Sequence, residues 1–180
     1  PYYPLTYLGN PISGMPGSIL LAMPFVALGN SAFQNLFWLA AFVVATSIRF
    51  RDKSIALLQL TTLLALAPIT LHSIVTGNDL FANSLFVLVA ILVVIHVIPD
   101  RRSGVWQKLT AAAFIGVAMS SRSNFLLLLP LTVRILAERC GWKTTLRYVF
   151  VGAIVFSAVT IPFWLYDPPN FGPLLKQYKF

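Results

Sequence analysis

The 180-residue chain is 58% hydrophobic and only 10% charged, with a mean hydropathy of +0.81, so it has too little polar surface to cover a soluble globule. Its net charge of +8 suits nucleic acid or an anionic surface in principle, and the positions of the charges must decide. The single cysteine, Cys140, excludes an internal disulfide and by itself indicates no metal site.

The apolar residues fall into blocks of the length that crosses a bilayer as a helix, about 17 to 25 residues. They are continuous rather than alternating, which points to helices and away from a closed barrel. The predicted spans are 15–29, 31–48, 54–71, 80–99, 104–121, 123–138 and 146–166. The first is short, contains Pro16 and Pro24, and follows the aromatic, proline-rich PYYPLTYLGNP; it is read as dipping into the bilayer with or without crossing it. The expected fold is therefore all-α, a polytopic integral membrane bundle of six or seven spans, with residues 1–180 forming a single transmembrane region. No basic n-region with a cleavage site opens the chain, which is read as an internal piece of a longer protein. No repeat or heptad series stands out, which argues against a solenoid or a coiled coil.

Orientation follows from the joints, because short loops rich in Lys and Arg stay in the cytoplasm. Arg49, Arg51 and Lys53 occupy one joint, Arg101, Arg102 and Lys108 another, and Arg134, Arg139, Lys143 and Arg147 a third. The alternate joints, HSIVTGND and SRSN, carry only Arg122, and the last span is followed by DPPNF. One topology satisfies all of them: the basic joints face the cytoplasm, and His72 to Asp79, Arg122 and Asp167 face the opposite side. The positive charge is thereby spent on topology, which excludes a nucleic-acid footprint. Trp106 and Trp142 near the inner boundary, with Trp164 and Tyr166 near the outer one, suit interfacial aromatic belts.

Asp52, Asp100 and Glu138 lie among the inner basic clusters as solvated partners of Arg and Lys. That leaves Asp79 and Asp167 outside, with Arg122, His72 and Asn78, and ionisable groups near a membrane core are functional candidates. In TGND, Gly77 permits a tight turn, and Asn78 and Asp79 can cap the helix that begins near Leu80. The same carboxylate could instead take a proton from a hydroxyl, or bind a sugar or a metal. Arg122 presents a planar fork that matches a lipid phosphate, or it snorkels to ordinary headgroups. Pro162 and the pair Pro168–Pro169 place Asp167 on a stiff outer turn, either as helix termination or as a sugar contact. His72 and His96 are read as packed interhelical residues. No HExxH, paired CxxC, phosphate loop, GxSxG or dinucleotide fingerprint occurs.

Several stretches, in order, resemble bacterial multi-pass glycosyltransferases of the GT-C type, the polyprenyl-phosphate-sugar-dependent, mannosyltransferase-like membrane proteins. In that group a Tyr/Pro-rich outer segment precedes a "llaaPf.llg" helix, matched by YYPL, with Tyr3, and GSILLAMPFVALG. A later G-polar-Asn/Asp turn is matched by TGNDL, and "ATKQ....LLLLP" by SSRSNFLLLLP, where Arg122 and Pro130 keep the spacing. Finally "PF..WDP..F" is met by PFWLYDPPNF, with tyrosine in place of tryptophan.

The resemblance implies sugar transfer from a lipid-linked phosphate donor to a glycan or lipid acceptor hydroxyl on the outer face of the cell membrane. In such enzymes the base is an aspartate in the first large outer loop, which is expected upstream of Pro1. Within this chain the resemblance assigns Asp79 as the catalytic acid-base candidate, Arg122 as the donor-phosphate contact, and Asn78, Asp167, Tyr3 and His72 as substrate contacts. Besides the two substrates the implied partners are membrane lipids. No cofactor is implied, and no ligand set indicates a divalent metal. The competing readings are a transporter or flippase, since outward polar groups and proline-broken helices also line substrate paths, and a non-catalytic structural membrane subunit.

Overall fold

The computed structural model describes residues 14–50, 52–66, 68–76, 78–166, 168 and 171. These residues form eight α-helices and one 3₁₀ helix, with no strand among them. The helices are α1 (Pro16–Ala27), α2 (Phe33–Phe50), α3 (Lys53–Leu66), α4 (Pro68–Thr76), α5 (Asp79–Val97), α6 (Val105–Met119), α7 (Leu129–Cys140) and α8 (Trp142–Tyr166); the 3₁₀ helix, Ser123–Leu128, precedes α7. Three of them, α2, α5 and α8, are long and apolar enough to cross a membrane, or up to four if the bent pair α3–α4 counts as one span. The described residues thus show an all-α membrane chain but not six or seven full spans.

The differences lie where proline or glycine changes the backbone. The predicted span 54–71 is divided at Pro68, which has no N–H to continue α3 and instead opens α4; Lys53–Ala65 and Thr70–Thr76 are bent by 77°. The predicted span 123–138 is a 3₁₀ turn followed by α7, with Pro130 in the first turn of the α-helix. Gly141, at φ +80°, ends α7 and lets α8 begin at the next residue; a side chain would be strained there. α1 has 12 residues, about 18 Å of helix, short of the roughly 30 Å hydrocarbon core. Pro162 does not stop α8, which continues through it to Tyr166. The chain divides into two compact units, residues 1–21 with 112–180, and residues 22–111.

In the unit 22–111, α2 packs on α5 through an aromatic ladder. Phe25, Phe37, Trp38 and Phe86 follow one another with ring centroids 5.3, 5.0 and 5.6 Å apart, within the range where tilted and edge-to-face pairs are favourable. Phe86 is wholly buried, beside Ala82, Leu85, Val89 and Ala90 of its own helix. Phe86→Ala should therefore destabilise this unit by about 3–5 kcal/mol, read as a lower melting temperature in detergent; an unchanged melting temperature would contradict the packing.

In the other unit, two helix ends meet. The Met15 and Gly17 N–H groups, at the start of α1, donate to the Ser121 and Ser120 carbonyls at the end of α6, each at 2.9 Å. Donors and acceptors that no helix can satisfy internally thus satisfy each other, and the opposed partial charges of the two helix ends attract. Pro16 between them has no N–H to satisfy. Further along α6, Gly116 lies against the backbone of Gly152 in α8, a small-residue crossing of the kind that lets membrane helices approach closely.

Trp106, Trp142, Trp164 and Tyr166 are all exposed, as residues of an interfacial belt must be. At the basic joints, Glu138 pairs with Arg134 at 2.8 Å on an exposed face. The Arg102 backbone N–H and the Ser103 hydroxyl hold the Asp100 carboxyl below its ordinary range. The Asp52 carboxylate accepts the Ser54 N–H at the start of α3. These three acids serve local structure.

Candidate functional site

The turn between α4 and α5 is built around asparagines. Asn78 stands in an extended conformation, and its side chain accepts the Leu80 N–H at 2.9 Å, capping α5. The capping role expected for this residue type is therefore filled by Asn78, and Asp79 becomes the first residue of the helix, where a negative charge faces the positive end of the dipole. One turn on, the fully buried Asn83 donates its Nδ2 to Asp79 Oδ2 at 3.2 Å. Asp79 is half-buried, and the Asn83 contact orients its carboxylate.

A second clamp comes from a distant helix. Asn35, in the first turn of α2 and wholly buried, donates its Nδ2 to the Ser73 carbonyl at 2.9 Å and to the Asn78 carbonyl at 3.2 Å. Ser73, also buried, ends the same turn by accepting the Asn78 N–H at 3.1 Å. Asn35 and Asn83 escape a sequence reading that looks for charges. The Asp79–Asn83 spacing of four is a usable signal, and so is a Gln–Asn pair opening an apolar helix. Gln34 Oε1 and Asn35 Oδ1 are buried, with no hydrogen-bond partner among the described residues. These acceptors lie at the end of α2 that meets the turn.

Arg122 belongs to the other unit. It follows the buried pair Ser120–Ser121 and stands in an extended conformation before the 3₁₀ helix, with its carbonyl accepting the Phe125 N–H at 3.2 Å. Its backbone position is thus set on one side by the α1 junction and on the other by the 3₁₀ turn. The side chain is half-buried and its Nε is enclosed, while guanidinium nitrogens beyond Nε are the usual fork toward an oxyanion.

The remaining predicted residues divide. His72 is exposed on α4, and its carbonyl accepts the Thr76 hydroxyl at 2.8 Å; His96 is exposed as well. Their exposure departs from the packed interhelical role expected for both. Tyr3 and Asp167 lie outside the described residues. Among the described residues, no group of three or more His, Cys, Asp or Glu side chains is placed to hold a metal ion.

A family model described as "ALG3 protein" matches residues 20–176, most of the chain. The chain belongs to the ALG3 protein family. ALG3 proteins are multi-pass GT-C mannosyltransferases that depend on dolichyl-phosphate-mannose, so the transporter, flippase and structural-subunit readings give way. The ALG3 family is eukaryotic and belongs to the endoplasmic reticulum; the bacterial source and cell-membrane setting expected from the motifs are not supported. The family's donor is dolichyl-phosphate-mannose and its acceptor a lipid-linked oligosaccharide. No curated protein and no solved structure matches the chain.

Proposed function

We propose that this chain carries part of the site of a mannosyltransferase that works at the lumenal rim of the endoplasmic reticulum membrane. The acceptor is a hydroxyl of a lipid-linked oligosaccharide and the donor is dolichyl-phosphate-mannose. The observation that carries this reading is the family match over residues 20–176. Composition, with spans too apolar for any soluble enzyme, agrees with it.

In the reaction the acceptor oxygen bonds to the anomeric carbon of mannose as the bond from that carbon to the phosphate oxygen breaks. The acceptor's proton passes to a carboxylate and dolichyl phosphate leaves as an anion. A stable leaving anion needs no strong general acid, but its developing charge needs a cation. Arg122 is assigned to the donor phosphate, supported by its fork of donors and by the double anchoring of its backbone. Asp79 is assigned to hold and orient the acceptor hydroxyl, beside the outer-loop aspartate that the resemblance gives as the base, supported by its half-buried carboxylate and the Asn83 contact that orients it. Asn78 builds the turn, while His72, Tyr3 and Asp167 are assigned to substrate contact at the same rim.

The test is Arg122→Ala and Arg122→Lys in the full-length protein, assayed for mannose transfer from dolichyl-phosphate-mannose. Alanine should lower turnover by roughly 10²-fold, the usual loss when one oxyanion donor is removed. Lysine, which keeps the charge but not the fork, should recover part of it. Membrane insertion should be normal in both, and undiminished turnover in the alanine variant ends the assignment.

A further inference from the structure

We infer that Asn35 is a positioning residue for the reaction, holding Asp79 in place through the backbone of the α4–α5 turn. The inference rests on the assignment of Asp79 to the acceptor hydroxyl and extends it to a residue 44 positions earlier in the sequence.

Three observations carry it. Both hydrogens of the Asn35 amide are committed, one to the Ser73 carbonyl and one to the Asn78 carbonyl, and the latter carbonyl belongs to the peptide group that bears the Asp79 nitrogen. The orientation of the amide is fixed by its partners, since the reverse orientation would set its oxygen against two carbonyl oxygens. The side chain is wholly buried, where water cannot replace a lost donor and each unmade bond costs more than at a surface.

The turn is also held from within. It is closed by the bond from the Asn78 N–H to the Ser73 carbonyl, which sets its shape but not its place relative to α2. Asn35 ties the turn's backbone directly to α2, beside the packing of α5 on that helix. Asn83 then orients the carboxylate from within α5, so a backbone anchor and a side-chain anchor act on the same residue from two helices. The buried residues of α2 mix polar and apolar side chains, but only Asn35 commits both amide hydrogens to the α4–α5 turn, which fixes a position and not merely a filled volume.

The experiment is a double-mutant cycle in the full-length enzyme, with transfer measured per unit of monodisperse protein. Asn35→Asp keeps the shape but sets a carboxylate oxygen against two carbonyls. Asn35→Ser keeps one shorter donor and serves if the aspartate variant does not accumulate. Asp79→Asn and its combination with each Asn35 variant complete the cycle. We expect Asn35→Asp to lower kcat about 10-fold and Asn35→Ser less, with the KM for the lipid-phosphate donor nearly unchanged, since misplacement of a reacting group acts on the chemical step.

In the Asp79→Asn background either Asn35 substitution should add nothing further, because the group being positioned is already gone. A loss that multiplies instead would mean that Asn35 acts independently of Asp79 and would overturn the inference. Full kcat in both Asn35 variants, with Asp79→Asn impaired, also overturns it and leaves the Asp79 assignment standing. Full kcat in Asp79→Asn overturns that assignment and the inference with it.

Discussion

Replacing Gly116 by leucine is expected to leave little folded protein. A Cβ at this position would overlap the Gly152 carbonyl oxygen and press on the Val155 Cβ, and the first of these is backbone that cannot swing aside. The only relief is to move α8 away from α6, which exposes a contact that depends on close approach. Overpacking of this kind costs about 1–3 kcal/mol or more, and leucine adds three further carbons beyond the first clash. The effect should be graded. Gly116→Ala should lower the melting temperature clearly, whereas Gly152→Ala should lower it less, because its Cβ would meet the Ala112 carbonyl at 3.2 Å, a gap that a small shift relieves. Fluorescence-detected size exclusion after a heat challenge in detergent measures all three. Gly116→Leu melting with the parent protein would mean that α6 and α8 do not cross at these glycines.

How much of this was legible beforehand depends on the range over which each feature is determined. The three long spans and the cap at Asn78 follow from contiguous residues, apolar runs in the first case and an Asn before a helix in the second, and the structure has them. The broken segments differ from the expected spans because apolar content over a window reports transfer into lipid and is blind to dihedral angles. Pro68 and Pro130 carry the needed signal, and their position within the runs marks where each run changes its backbone.

The clamp on the site was hidden for a different reason. Asn35 meets Ser73 and Asn78 across 38 and 43 residues, and nothing local to any of the three announces the others. Gly17 is similar. Its want of a side chain is explained only by the Ser120 side chain and Val117 carbonyl that a Cβ there would strike. For the histidines, a polar residue within an apolar run predicts an interhelical partner, while His72 and His96 stand exposed near the ends of their helices.

Cysteine labelling across the membrane should divide the chain into two sets without exception. In a cysteine-free full-length background, Thr76→Cys and Asn124→Cys, both exposed and close to Asp79 and Arg122, should resist an impermeant maleimide in sealed microsomes and react only after permeabilisation. Lys53→Cys, Arg101→Cys and Lys143→Cys, exposed members of the basic joints, should react without it. The expectation follows from the retention of Lys- and Arg-rich short loops in the cytoplasm. It makes a specific demand on residues 123–140, which must cross although no long α-helix covers them. A 3₁₀ turn of six residues supplies about 12 Å and the 12 residues of α7 about 18 Å, so the two laid end to end reach across the roughly 30 Å hydrocarbon core only with Arg134, Glu138 and Arg139 at its cytoplasmic end, where the Arg134–Glu138 pair and snorkelling side chains must carry their charge to water. If positions 76 and 124 instead label from opposite sides, a carboxylate at Asp79 and a guanidinium at Arg122 cannot act on one donor and one acceptor, because no sugar phosphate reaches both rims of a bilayer at once.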